Sequence, residues 1–501
     1  MINSEASAAN ERVSGILMHI SSLSSDYGIG TLGSEAYAFA DFLEQAGQSC
    51  WQILPLCPTS FGDSPYQSFS SFAGNPYFID FELLRRDNLL KKSDYADMNW
   101  GASAEKVDYE RVYRGRKAVF ATLYKNFIKN IPTEFYEFCE SQDYWLSDFS
   151  LFMAEKEARF GMPWQFWSEN VKKRKPIAVE EEKEKFKAEM QYHKMLQYLF
   201  YKQWNNLKDY VNSKRIKIIG DIPIYVAADS ADVWASPQNF NLDENYCAQE
   251  VAGCPPDKFS EDGQLWGNPL FDWDYMKKDN YSWWIRRIAH NMRLYDIIRI
   301  DHFRGFDSYY AVSAKEKTAK SGVWREGPKE EFFNSVREQL GEISIIAEDL
   351  GYLTPSVKNL LKSTGFPGMK VLQFAFDSRE ASDYMPHNYD KNSVVYTGTH
   401  DNNTIMGWVK EAPPDDVELA KNYLALSRAE GFNWGMIRGA LSSVSSTAII
   451  TAQDILSLDG RARMNTPSTI GGNWMWRAKK GAFTDTLAEK LLEYTKLYQR
   501  I

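Results

Sequence analysis

Cysteine is scarce in this chain: five residues, an odd number, stand at Cys50, Cys57, Cys139, Cys247 and Cys254, none in the C-x-x-C spacing of a zinc or redox site. Free thiols in a reducing compartment are therefore expected. No run of about 18 or more apolar residues occurs, and the opening MINSEASAANERVSG has neither a basic n-region nor an apolar h-region. A cytoplasmic protein without a membrane partner is the expectation. Basic residues do not dominate either, since 58 Lys and Arg against 67 Asp and Glu leave a formal charge of -9. That balance argues against nucleic acid, which needs a clustered basic footprint. Glycine-rich or basic cradles for phosphate are missing too.

Aromatic residues are plentiful. They make up 15% of the 501 residues, with 16 Trp and 28 Tyr, more than a core requires, and the surplus suits stacking on the flat apolar faces of sugars. The most informative features are three apolar, β-branched runs that each break onto an acid: DIIRIDHFRGF at Asp301, SIIAEDLG at Glu348 and SVVYTGTHDN at Asp401. Such runs read as buried parallel strands, and an acid just past the end sits where a barrel presents its reactive side chains. Three acids on one rim suggest glycosidic-bond chemistry, which needs a carboxylate nucleophile and a carboxylic acid proton donor.

Further strands are expected at SGILMHISSL, SCWQILPL, RIKIIGDIPIYV, KVLQFAF and STAIITAQDIL. With the three above they total eight, the number that closes a TIM-type (β/α)8 barrel. The segment SEAYAFADFLEQAG carries Tyr37, Phe39, Ala40, Phe42 and Leu43 at roughly helical spacing and stops at Gly47, giving a β-α-β start. Intervals between the later strands are long enough for a helix each. The chain is expected to be one catalytic barrel over residues 1–501, with insertions at about 57–210 after the second strand and 226–290 after the third, each carrying its own structure. The charge block KKRKPIAVEEEKEKFKAEM reads as a solvated helix surface or connector.

Arg299 lies two positions before Asp301, so a strand's period of two puts both on one face. A guanidinium there is expected to keep the carboxylate ionised and its pKa depressed, as a nucleophile requires; a purely structural ion pair is the alternative. Glu348 is the candidate proton donor, its pKa raised by apolar surroundings or by the neighbouring charge, unless it is the N-terminal acid of a helix. Asp401 with His400 suits the holding of vicinal sugar hydroxyls, although the two could equally be metal ligands. Asp221, in IIGDIPIYV, is expected to end the third strand in the same manner and to support the site.

The segments GDIPIYVA, CPPDKFSEDGQLWGNPLFDW, IRIDHFRGF, AEDLG, GFPGMKVLQFAF, TGTHDN and GGNWMWR together resemble the 4-α-glucanotransferases, also called amylomaltases or disproportionating enzymes, relatives of the α-amylase superfamily. The likeness runs from ILMHISSLSSDYGIGTLG to the final helix. Without a long N-terminal extension the chain resembles the compact type. The resemblance implies Asp301 as nucleophile, Glu348 as general acid/base and Asp401 as transition-state stabiliser. It further implies that Asp221, Arg299, His302 and His400 surround the cleaved sugar, and that Asp257 and Trp266 belong to a mobile loop over the acceptor side. Asn473 and the early aromatic Tyr66 are implied as further sugar contacts. The expected partners are α-1,4-glucans and maltooligosaccharides, with glucose or maltooligosaccharide as acceptor, and no metal or organic cofactor is implied. An α-glucan hydrolase would share every catalytic residue, and a non-catalytic glucan-binding barrel is a further alternative. Trp266 could also simply pack its loop.

Overall fold

A computed structural model describes residues 12–256, 260–351 and 353–501. Among the described residues twelve strands are formed: β1 Val13–Leu17, β2 Cys50–Gln52, β3 Lys217–Ile222, β4 Glu250–Cys254, β5 Gln264–Pro269, β6 Ile297–Ile300, β7 Ser308–Ser313, β8 Val323–Glu326, β9 Ile345–Ala347, β10 Gly368–Val371, β11 Ser393–Tyr396 and β12 Thr447–Thr451. Eight of them close into a barrel in the order β1-β12-β11-β10-β9-β6-β3-β2, every pairing parallel. All eight overlap the runs that the apolar pattern marks out, because strands covered on both sides are apolar throughout, although β10 covers Gly368–Val371 and shares only Lys370 and Val371 with KVLQFAF, whose continuation Leu372–Phe374 is a 3-10 turn. The strands come close where side chains are smallest: a Cβ added at Gly15 would lie 2.4 Å from the carbonyl oxygen of Cys50 on the adjacent strand.

The barrel interior changes character towards its C-terminal mouth. Gln52, Asp221, Arg299 and Tyr396 are all buried there, and Tyr396 donates to Gln52 Oε1 at 2.9 Å while Arg299 donates to Asp221. Buried polar groups are tolerated only when paired. At the opposite end Arg500, fully buried, donates to the carbonyls of Val13, Leu441, Ser443, Ser445 and Ser446, tying the last turn of the chain across the barrel floor.

The first connection follows the expected pattern. A helix spans Ser34–Gln45, burying Phe39, Ala40, Phe42 and Leu43, and Gly47 follows it with φ of 67°. Between β2 and β3 lie seven α-helices, the last being the 27-residue Lys187–Ser213, which packs on Asp143–Ala158, Ser34–Gln45 and β3. The charge block runs from the end of the helix Glu169–Lys172 through Pro176–Lys185 into the start of that long helix, with Val179 turned inward.

Two features depart from the sequence reading. Between β10 and β11 there is no α-helix, only 3-10 turns at Leu372–Phe374 and Pro386–Asn388. The segment is rich in Asp, Ser and Asn, which bond their own backbone in turns, and Pro386 cannot continue a helix. Second, β4, β5, β7 and β8 build an antiparallel side sheet in the order β5-β4-β7-β8. It receives strands from both the β3–β6 and the β6–β9 connections, a pairing between segments distant in sequence.

Candidate active site

The acids are delivered by the strand ends. Asp301 follows β6 directly and its backbone N–H bonds to Ile222 O at 2.9 Å, while Glu348 follows β9 and bonds to Ile300 O at 3.0 Å. Arg299 Nη1 reaches both oxygens of Asp221 at 2.8 and 2.7 Å and Asp301 Oδ1 at 3.0 Å. Arg299 and Asp301 thus share one face. Tyr66, from the β2–β3 connection, donates its hydroxyl to Asp221 Oδ2 at 2.8 Å; burial first, and then the charge of Asp221, push its pKa well above 10, so it remains a donor.

Glu348 is nearly buried, at 9% exposure. Its Oε2 accepts from the His302 backbone N–H at 2.8 Å and its Oε1 from that of Leu350 at 2.7 Å. The nearest following helix, Pro355–Thr364, is capped by Thr354, so Glu348 is no helix-terminal acid. Burial, followed by the charge of Asp301, pushes Glu348 up to about 7 against the pull of Arg299 and the two N–H donors.

Asp301 is also pushed up, to about 6, by burial first. The depressed value expected from Arg299 is not realised, because that guanidinium is divided between two carboxylates and the charges of Asp221 and Asp401 oppose it. The side chain keeps 30% of its surface open to the cleft. The acids form one coupled pair, and the ordering within it is what the geometry supports: the buried Glu348 holds its proton longer than Asp301.

Asp401 lies across the mouth after β11, its Oδ1 accepting from Asn465 Nδ2 at 2.6 Å and its carbonyl from Arg463 at 2.6 Å. His400 places Nε2 at 3.5 Å from Asp401 Oδ1 and Nδ1 at 3.4 Å from the Tyr66 hydroxyl. Its ring stacks on Tyr66 at 5.0 Å, with Trp474 tilted against both at 5.8 Å. His302 holds a left-handed backbone, φ 51°, unusual for a non-glycine residue and a mark of local strain. Burial pushes its pKa down to about 3. It is therefore a neutral imidazole, and its buried Nε2 has no hydrogen-bond partner among the described residues. Trp266 stands edge-on to this ring at 4.8 Å and 86°. Among the described residues no three His, Cys, Asp or Glu side chains gather as a metal site.

A family model described as 4-alpha-glucanotransferase matches residues 18–484. The chain belongs to the 4-α-glucanotransferase family. A 4-alpha-glucanotransferase of Clostridium butyricum is 52% identical over 485 residues, covering 96% of this chain and 100% of that protein. One from Streptococcus pneumoniae is 48% identical, covering 98% of each. Among solved structures, the amylomaltase from Streptococcus agalactiae in complex with acarbose superposes with a TM-score of 0.96 at 44% identity, covering 98% of this chain and 100% of that one. The chain is accordingly a transferase acting on α-1,4-glucans, built on the TIM barrel described above.

Within this transferase the cleft gathers Tyr66, Asp221, Arg299, Asp301, His302, Glu348, His400, Asp401 and Trp266. Three residues stand differently. Asp257 lies outside the described residues. Trp266 sits on the paired strand β5 rather than in a loop, since Gln264–Pro269 pairs antiparallel with β4. Asn473 spends its side chain on its own loop, accepting from Thr466 N and donating to Thr469. Three neighbours escape a reading of strand ends: Asn465 and Arg463, which orient Asp401, and Trp474, which completes the aromatic bracket. Only Trp474 left a trace in the sequence, inside the aromatic GGNWMWR.

Proposed function

We propose that the transferase works by retaining double displacement. Asp301 attacks the anomeric carbon of the donor while Glu348 gives its proton to the departing glycosidic oxygen, which leaves as the 4-hydroxyl of the shortened glucan. The intermediate is a glycosyl ester on Asp301. Glu348, now ionised, takes the proton from the 4-hydroxyl of an incoming glucan, whose oxygen displaces the ester with retained configuration. Asp401, oriented by Asn465, holds the sugar hydroxyls and the developing oxocarbenium charge. The observation that carries this reading is the coupled pair itself: a partly open carboxylate aimed by Arg299 beside a buried carboxyl with the higher pKa.

In the same reading the β2–β3 insertion supplies the donor wall through Tyr66, and the segment between β3 and β6 supplies the acceptor wall through Trp266. The acceptors in this reading are glucose or maltooligosaccharides. The five cysteines, all free, fit a reducing cytoplasm.

The pair predicts a narrow pH optimum. Turnover needs Asp301 ionised and Glu348 protonated, so kcat/KM should rise as pH climbs through about 6 and fall as it passes about 7. A profile of kcat/KM against pH checks this; a plateau extending from pH 5 to about 9 would contradict the assignment of Glu348 as acid.

Transfer rather than hydrolysis rests on acceptor placement. Water is at about 55 M, whereas a bound and aligned hydroxyl reaches effective molarities on the order of 10⁵ M or more. In this reading Trp266, which packs against His302, seats the acceptor and excludes water. Maltotriose should therefore yield glucose and a ladder of longer oligosaccharides with reducing ends almost constant. Trp266→Ala should weaken acceptor use by roughly 1–3 kcal/mol, as for loss of a stacked aromatic, and raise the hydrolysed fraction. Chromatography of products alongside a reducing-end assay decides it: reducing ends climbing with bond cleavage in the wild type would make the protein a hydrolase, and an unchanged ratio in the variant would leave Trp266 a packing residue.

A further inference from the structure

Trp474 packs on both rings of the Tyr66–His400 stack, yet only 5% of its surface is exposed. It therefore acts on the reaction through the rings it touches rather than as a surface for sugar. Tyr66 carries its hydroxyl to Asp221, and His400 lies beside Asp401. The backbone of Trp474 is held in the left-handed region, φ 62°, a setting that costs energy in a bulky residue and persists only where the surroundings impose it. Upstream, Gly471 and Gly472 are left-handed too, and a Cβ added at either would meet nothing within 4 Å. Packing around those glycines does not supply the restraint.

Two hydrogen bonds hold the strained residue. The Trp474 N–H donates to Met464 O at 2.7 Å, across the base of its own loop. The Trp474 carbonyl accepts from the Tyr109 hydroxyl at 2.8 Å, and this bond comes from a distant part of the chain. Tyr109 opens the helix Tyr109–Phe127, which Asp108 caps, so the phenol stands on a fixed base in the β2–β3 insertion. Burial pushes its pKa up, and it stays a donor. The next residues are joined to the insertion independently: Val107 N–H donates to Met475 O at 2.7 Å, and Arg477 N–H to Glu105 O at 2.8 Å. Without the Tyr109 hydroxyl the insertion would still grip this segment, and the loss would fall on Trp474.

We propose that Tyr109 is a positioning residue for glucan transfer: its hydroxyl fixes the Trp474 backbone, and through the Trp474 ring it sets the Tyr66–His400 pair between Asp221 and Asp401. The inference rests on the roles given above to Asp401 and His400 around the cleaved sugar. Freed of the bond, Trp474 relaxes from its left-handed conformation and its ring withdraws. Tyr66 and His400 then lose their common wall, and the groups around the oxocarbenium charge lose the alignment on which transition-state stabilisation depends. Substrate still binds, since Tyr109 and Trp474 act through other side chains.

The test is a double-mutant cycle read by maltotriose kinetics and thermal unfolding in wild type, Tyr109→Phe, Trp474→Gly and the double variant. Tyr109→Phe, which removes only the hydroxyl, should lower kcat about tenfold, leave KM within about twofold and leave the unfolding temperature within a few degrees of wild type. Glycine takes a left-handed backbone without strain and has no ring to place. Adding Tyr109→Phe to Trp474→Gly should therefore change kcat by less than about twofold. Effects that multiply in the double variant, or a loss confined to KM, would overturn the proposal and leave Tyr109 a support of the insertion. Wild-type kcat in Tyr109→Phe would overturn it whether or not Trp474→Gly is recovered folded. If only Tyr109→Phe is recovered folded, a kcat loss with unchanged KM and unfolding supports the proposal. None of these outcomes touches the mechanism itself, which fails instead if wild-type protein transfers no glucan.

Discussion

Replacing Asp301 with Ala should abolish glucan transfer, lowering kcat by on the order of 10⁴–10⁶, the range seen when a covalent nucleophile is removed. Without the carboxylate no ester forms, and the gap left beside the anomeric carbon offers the acceptor no activated sugar to attack. The fold should persist. Arg299 would lose its contact with Asp301 but keep both oxygens of Asp221, so no buried guanidinium is left uncompensated, the situation that makes broken buried pairs costly. Thermal unfolding within a few degrees of wild type is therefore expected alongside the lost turnover. Activity within about tenfold of wild type would remove Asp301 from the nucleophile's role.

Glu348→Gln should separate substrates by leaving group. Natural glucans depart as a poorly stabilised alkoxide unless protonated, so their turnover should fall by about 10²–10⁴, the usual contribution of a general acid. An α-glucosyl fluoride needs no such proton, and its first displacement should be affected far less. The structure adds a refinement. Both Glu348 oxygens accept backbone N–H groups, from His302 and Leu350, and a Gln has only one oxygen to offer. One buried donor loses its partner at a cost of about 1–3 kcal/mol, so the variant should also unfold at lower temperature. That loss is common to both substrates. An equal fall in rate on glucan and fluoride would contradict the acid assignment.

How much of this was legible in the sequence depends on distance along the chain. The eight barrel strands were readable because a strand covered on both faces is written as a local β-branched run, and an acid at its end is visible in the same few residues. The Arg299–Asp301 pairing was readable from a period of two. The electrostatic consequence was not: the share of Arg299 taken by Asp221 comes from β3, some eighty residues earlier, so the guanidinium's effect on Asp301 cannot be judged from IRIDHF alone. The side sheet escaped for the same reason, since β4 meets β7 across a long stretch of chain and each strand is short. This hid the strand setting of Trp266. Asn465 and Trp474 reach Asp401 and His400 from the far end of the barrel sequence, and nothing local distinguishes such an Asn from any loop residue. The missing helix between β10 and β11 was a different kind of error: interval length suggested it, but Pro386 and the turn-forming Asp, Ser and Asn residues of the segment outweigh length.

The account turns on a covalent ester at Asp301, and the most direct measurement is to look for it. Glu348→Gln, incubated with α-glucosyl fluoride and no acceptor, should form the ester at a useful rate while deglycosylation is slowed for want of a base. Intact-protein mass spectrometry should then show one added glucosyl group, and peptide mapping should place it on the segment that contains Asp301. It should disappear on addition of azide, a nucleophile that needs no general base, with release of the α-glucosyl azide. No adduct under conditions where fluoride is consumed, an adduct on another residue, or a β-configured azide product would contradict double displacement through Asp301.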